Sequence, residues 1–168
     1  HAIAFAPKED LQGRVVDSSA QGFAKAMDVS CHSLMRLSKA AEPLMKEGGS
    51  IITLSYYGAE KVVENYNLMG PVKAALQSTT RYLASELGPS GIRVNAISPG
   101  PIRTRAASGL EGFEDLAADA ESRAPLRRLA TIEEVGNTAA WLISDAGAGV
   151  TGGIHYVDGG HHNVFFGG

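Results

Sequence analysis

The order of apolar and polar positions along the chain reads as alternating strands and helices. HAIAFAP (residues 1–7) is an apolar stretch closed by a proline, the pattern of a buried strand running out into a loop. Residues 22–46 carry Phe23, Met27, Leu34, Leu37, Ala41 and Leu44 at helical spacing, which predicts a helix with those side chains inward and a stop near Gly48 and Gly49. SIITLSY (residues 50–56) is apolar, β-branched and of strand length, as in a buried strand. A second helix is expected from about Val72 to Leu87, with Leu76, Leu83 and Leu87 inward and Gly88-Pro89 ending it. IRVNAIS (residues 92–98) is a further strand, closed by Pro99-Gly100-Pro101. Residues 103–128 are polar and rich in small side chains, and read as a long loop with weak helical signal at its centre. Thr131 and Glu134 form a capping-box pattern for a third helix containing Val135, Ala139 and Leu142. IHYV (residues 154–157) closes the pattern as a short strand.

Alternation of this kind predicts an α/β fold, a Rossmann-like doubly wound parallel sheet, with residues 1–168 as a single domain. Ligands of such sheets bind beyond the carboxyl ends of the strands, which directs attention to residues 1–7, 55–66 and 98–107. Gly147-Ala148-Gly149-Val150-Thr151-Gly152 matches the dinucleotide fingerprint in letters only, because a helix precedes it and a strand follows. It is read as a turn. With no phosphate-binding first βαβ unit and a start inside an apolar stretch, the chain is expected to be the C-terminal part of a domain that is longer by roughly a hundred residues at its N-terminus.

Composition narrows the class. Charged residues make up 20% of the chain and the net charge is −3, too small and too mixed for a nucleic-acid surface. No apolar run approaches the ~20 residues that span a bilayer, and no secretory signal is visible, so no membrane association is expected. Cys31 is a lone cysteine that cannot form an internal disulfide, which fits a reducing, cytoplasmic setting. His32, His155, His161 and His162 lack a metal-ligand pattern with supporting carboxylates or thiols, and no metal is assigned.

The chemistry-bearing stretch is SYYGAEKVVENYNLMGPVKA followed by SPGPIRTRAASG. Lys73 is followed by Ala-Ala-Leu, and Tyr66 lies seven residues before it, with Met69 at the position four before. At ~100° per residue, seven residues turn ~700° and four turn ~400°, so either spacing puts a tyrosine and the lysine on nearly one helix face. Tyr57 and Lys61 also satisfy a bare Tyr-x-x-x-Lys spacing, but they follow the strand directly across Gly58 and are read as loop residues.

These segments, with HAIAFAP and the final TGGIHYVDGG, resemble the enoyl-acyl-carrier-protein reductase branch of the short-chain dehydrogenase/reductase superfamily over essentially the whole chain. The commoner branch of that superfamily has its tyrosine at the position of Met69; displacement to Tyr66, with an earlier Tyr56 at the end of the preceding strand, marks the enoyl reductase branch. The resemblance implies reduction of a trans-2-enoyl thioester, carried by acyl carrier protein, with hydride from NADH (NADPH remaining open), in a homotetramer of the bacterial fatty-acid pathway. It implies catalytic roles for Tyr66 and Lys73, the lysine meeting the nicotinamide ribose. For Tyr56 it leaves catalysis, substrate contact and plain packing open. Ile3 and the loop Ile102, Arg103, Thr104, Arg105 and Ala106 correspond to cofactor-binding positions, although the charges of Arg103 and Arg105 alone do not assign them phosphate contacts. Ala6, Tyr56, Tyr66, Met69 and Phe113 correspond to substrate contacts, with Phe5, Ala107 and Leu110 adding apolar wall. Residues 103–116 carry glycines and short side chains, as in a lid. Two competing readings stand beside this one. A ketone or alcohol dehydrogenase would want tyrosine at position 69, and a non-catalytic Rossmann-like binding protein would not need Tyr66 and Lys73 together.

Overall fold

The computed structural model describes residues 1–103 and 112–164. Three strands, β1 (Gly49–Leu54), β2 (Ile92–Pro99) and β3 (Ile154–Val157), form a sheet in that order, parallel throughout. Ile51 pairs with Val94, Leu54 with Ile97, and Ala96 with Ile154. The helices are α1 (Lys8–Leu11), α2 (Ala20–Met27), α3 (Ser33–Ala41), α4 (Met69–Leu87), α5 (Phe113–Arg123) and α6 (Ile132–Ile143). α4 covers one face of the sheet, where Leu76, Leu83, Ala84 and Leu87 pack with Ile92, Val94 and Ile51. α6 covers the other, and the hydroxyl of Ser50, the neighbour of Ile51 and so on the opposite face, donates to the Leu142 carbonyl at 3.3 Å. This is the doubly wound α/β arrangement expected from the alternation.

α4, β2, β3 and α6 lie where the periodicity puts them. Thr131 caps α6 with a full capping box: its hydroxyl accepts from Glu134 N at 3.2 Å and the Glu134 carboxylate accepts from Thr131 N at 2.9 Å. Gly147 closes a short 3-10 turn, Asp145–Gly147, and the rest of the Gly147–Gly152 segment is turn and loop before β3, as read from the sequence. Tyr57 opens another such turn, Tyr57–Ala59, and Lys61 lies in the loop after it.

Three expectations need correction. Residues 1–7 are not a strand. The His1 ring bonds Thr53 Oγ1 (3.1 Å) on β1 and Ser33 Oγ (2.8 Å) on α3. By Phe5 the backbone has left the sheet: both its N–H and its C=O are bonded to the Ser30 hydroxyl instead of a neighbouring strand. The expected helix over 22–46 is a run of α2, a wider π turn at Asp28–His32, α3 and a 3-10 turn at Glu42–Leu44. Its buried stripe is Ala26, Ser30, Cys31, Leu34 and Ser38, whereas Phe23, Leu37 and Leu44 are 42%, 50% and 83% exposed. The helix lies close against α4, with Cys31 Sγ 3.4 Å from Thr79 Oγ1 and Leu34 packed with Leu76 and Leu83, so the side turned to α4 is offset from the one the apolar spacing marked. Residues 103–128 contain the helix α5, which begins at the buried Phe113.

Candidate active site

A cavity of about 410 Å3 opens beyond the carboxyl ends of β1 and β2. Ser55 and Tyr56, which follow β1, form one side of it, and Gly100, Pro101 and Ile102, which follow β2, form another. Met69 and Lys73 of α4, the segment Ala4–Ala6 and Phe113 and Leu116 of α5 also line it. A hollow of similar size, about 430 Å3, lies across Tyr66 between Glu60–Val63 and Pro71; it reaches neither Lys73 nor the strand ends.

Lys73 lies on the first turns of α4 with its side chain turned into the fold, and the residue is only 6% exposed. Its ammonium donates to the Leu54 carbonyl at 2.7 Å, at the last residue of β1. Burial pushes it down to about 8, with the nearby Cys31 opposing that shift. An ammonium has three donors, so the bond to Leu54 leaves two for a ligand. One turn further along α4, the buried Gln77 amide donates to Ser55 Oγ at 3.0 Å. The Ser55 hydroxyl lines the cavity and keeps its own proton to donate.

Tyr66 and Lys73 line the same cavity, but not as positions on one helix face. α4 begins at Met69, and Tyr66 lies in the turn before it. Asn65 and Asn67, on either side of it, have φ of +62° and +41°. The turn folds the Tyr66 ring against Tyr56, edge to face with centroids 4.7 Å apart. A Cβ at Gly58 would come within 2.5 Å of the Tyr66 ring, so only glycine lets the ring settle there. Burial pushes the Tyr66 phenol well above its ordinary value, with Tyr56 adding to the shift, and burial pushes Tyr56 up to about 12. Both phenols are therefore protonated donors at neutral pH.

The wall at Phe5 is pinned from α2–α3. Ser30 Oγ accepts from Phe5 N at 2.8 Å and donates to Phe5 O at 2.9 Å. The π turn that carries Ser30 is a widened helical turn of the kind often found near functional sites. Further along the chain, Asn67 Nδ2 donates to the Leu11 carbonyl at 2.9 Å. Ile3 lies outside the cavity walls and is 45% exposed. Arg103 is exposed and pairs with Glu114 at 2.8 Å. Thr104, Arg105, Ala106, Ala107 and Leu110, and most of the expected lid, lie outside the described residues. Among the described residues no group of three or more His, Cys, Asp or Glu side chains is placed to hold a metal ion. No helix there is long and apolar enough to cross a membrane.

Ser30, Ser55, Asn67 and Gln77 were not singled out from the sequence. Gln77 left a trace, a polar side chain at an inward position four residues after Lys73. So did the two asparagines around Tyr66, since asparagine tolerates the left-handed region.

A family model described as enoyl-(acyl carrier protein) reductase matches residues 1–162. The chain belongs to the enoyl-acyl-carrier-protein reductase family. An enoyl-acyl-carrier-protein reductase (NADH) from Rhizobium meliloti is 54% identical over 98% of the chain, and one from a Nostoc species is 56% identical over 96%. Among solved structures, the Bacillus cereus enzyme in complex with NADP+ and an indole naphthyridinone superimposes with a TM-score of 0.96 at 51% identity. The Anaplasma phagocytophilum enzyme in complex with NAD gives 0.95, also at 51% identity. Each alignment covers 99% of this chain. The chain spans 60–65% of the length of these four family members. With them, the Rossmann-like character of the parallel sheet is established.

Proposed function

We propose that the whole protein is an enoyl-acyl-carrier-protein reductase, and that the cavity beyond β1 and β2 is the substrate side of its active site. The observation that carries this reading is the convergence of Tyr56, Tyr66 and Lys73 on one cavity in a member of this family. The chain works as one domain, in the cytoplasm and as a homotetramer, on an enoyl thioester presented by acyl carrier protein.

The donor set suits a nicotinamide dinucleotide. The buried Lys73 ammonium has two N–H donors beyond its bond to Leu54 O, which match the ribose hydroxyls. Ile102 would contribute apolar contact beside it, with Thr104, Arg105 and Ala106 completing the cofactor loop. When bound, NADH (or NADPH) supplies a hydride to the β-carbon of the enoyl thioester. As the carbon–carbon double bond is reduced, its electron pair moves toward the carbonyl and negative charge builds on the thioester oxygen. The Tyr66 O–H, kept protonated by burial, stabilises that oxygen through a charge-assisted hydrogen bond. Lys73 adds positive charge nearby and orients the cofactor. Tyr56 holds the Tyr66 ring by its edge and bounds the substrate. Ala6, Met69 and Phe113 give the acyl chain an apolar, water-poor wall.

The test follows loss of nicotinamide absorbance with a crotonyl thioester and, separately, with a ketone. Turnover of the thioester alone is expected. Turnover of the ketone alone would replace this reading with that of a ketone dehydrogenase. Turnover of neither, with cofactor bound, would favour a binding protein. Within the enoyl reductase reading, Tyr66→Phe lowers kcat on the order of 10²–10³-fold with little change in cofactor affinity. Lys73→Ala instead weakens cofactor binding, and Tyr57→Phe leaves turnover unchanged.

A further inference from the structure

Because Tyr66 precedes α4, the helix backbone does not fix where its side chain points. Its position comes from the turn at residues 64–68. There the Tyr66 N–H donates to Val63 O (3.2 Å) and the Tyr66 carbonyl accepts from Met69 N (3.1 Å). The turn is bracketed by two left-handed residues, Asn65 at φ +62° and Asn67 at φ +41°. Side chains other than glycine enter that region at a cost of roughly 1–2 kcal/mol, asparagine more readily than most, and left-handed non-glycine residues collect at functional sites. Were both in the right-handed region, the turn could continue α4 backward. Tyr66 would then lie about 10 Å along the helix axis from Lys73. As it is, the ring is folded back onto Gly58 and the edge of Tyr56.

Asn67 carries the second observation. Its amide reaches out of the turn and donates to Leu11 O at 2.9 Å, across 56 residues of sequence. Leu11 lines the active-site cavity, and so does Tyr66. The bond thus ties the left-handed turn to Leu11, which packs with Tyr66 against the Leu68–Met69–Val72 cluster, and opposes the turn's relaxation into helix. We infer that Asn67 is a positioning residue for Tyr66: its amide bond to Leu11 holds the left-handed turn that aims the phenol at the substrate oxygen. The inference rests on the proposed role of Tyr66.

The experiment is a double-mutant cycle in the whole protein, read as kcat for a crotonyl thioester, with cofactor dissociation constant and unfolding midpoint measured on every variant. Asn67→Gly accepts φ +41° without strain and so keeps a foldable backbone, but it lacks the amide. It is expected to lower kcat about ten- to a hundredfold, the range for small displacements of a reacting group, with cofactor affinity unchanged. Asn67→Asp, which keeps the shape but turns an oxygen toward the Leu11 carbonyl, is expected to lose as much. In a Tyr66→Phe background, Asn67→Gly should cost nothing further, since its effect passes through the absent hydroxyl. The inference is overturned if Asn67→Gly keeps native kcat while Tyr66→Phe is slow. It is equally overturned if Asn67→Gly costs the same in both backgrounds. If Tyr66→Phe itself turns over at the native rate, the proposed role of Tyr66 fails and the inference falls with it, a result distinct from the other two.

Discussion

The two halves of α4 are buried alike and bury different things. Toward its C-terminus, Leu83, Ala84 and Leu87 join Leu76 in packing on Ile92, Val94 and Leu34. The inward side chains of this half carry no charge, its ionisable groups Arg81, Tyr82 and Glu86 being exposed, and its main contribution is apolar area removed from water. Toward its N-terminus, Lys73 and Gln77 lie on the same inward side, and each reaches the end of β1 through a hydrogen bond. Lys73 is held with its charge disfavoured, the reverse of what stability alone would select. One helix therefore anchors the sheet with one half and equips the cavity with the other, and the change comes where it passes beyond the carboxyl ends of the strands.

The largest effect on stability belongs to the apolar half. Leu83→Ala empties a buried core site and should lower the unfolding free energy by about 2–5 kcal/mol, measured by denaturant unfolding. A loss under 1 kcal/mol would mean that the two halves do not divide the work in this way.

The polar half should show itself in the pH dependence. Below pH 8 Lys73 is protonated in both states, and the native state carries the cost of its buried charge in full. From about pH 8 to 10 the native state releases this proton while the unfolded chain keeps it. Stability from this group therefore rises with pH through that window, by an amount on the order of 3 kcal/mol. Above pH 10 the buried tyrosines act in the opposite sense, because the unfolded chain ionises while Tyr56 holds its proton to about 12. Lys73→Met should remove the rise between pH 8 and 10 and leave stability at pH 7 equal or higher, as for other buried charges replaced by apolar side chains. Subtracting the variant's stability profile from the native one isolates the group. A flat difference would show that the ammonium is well solvated.

Gln77→Leu should have the smallest effect. It exchanges a buried amide for an apolar side chain of similar length, and Ser55 can turn to solvent in the cavity. Unfolding free energy should change by less than about 1 kcal/mol. A larger loss would make the Gln77–Ser55 bond part of the structural half after all.

Periodicity located α4, β2, β3 and α6, and Thr131 with Glu134 announced the start of α6, because apolar spacing and a capping box are properties of a few consecutive residues. The residue types around Tyr66 and Lys73 likewise sufficed to point to the family and to the strand ends where the cavity lies. Three-dimensional packing decided the rest. Residues 1–7 look like a strand by composition, yet the Phe5 backbone takes its partner from Ser30 in a π turn that no local pattern announced. Phe23 and Leu37 outrank Ala26 and Ser30 in hydropathy, but the side of the helix run that meets α4 carries Ala26, Ser30, Cys31 and Leu34, and Phe23 and Leu37 lie on the exposed side. Helical spacing brings Tyr66 to the face of Lys73, while the chain reaches the same cavity through a left-handed turn tied to Leu11. The period of a helix is set by neighbours four residues apart. The aim of Tyr66 depends on a hydrogen bond between residues 56 apart, and such a bond exists only once the chain has folded.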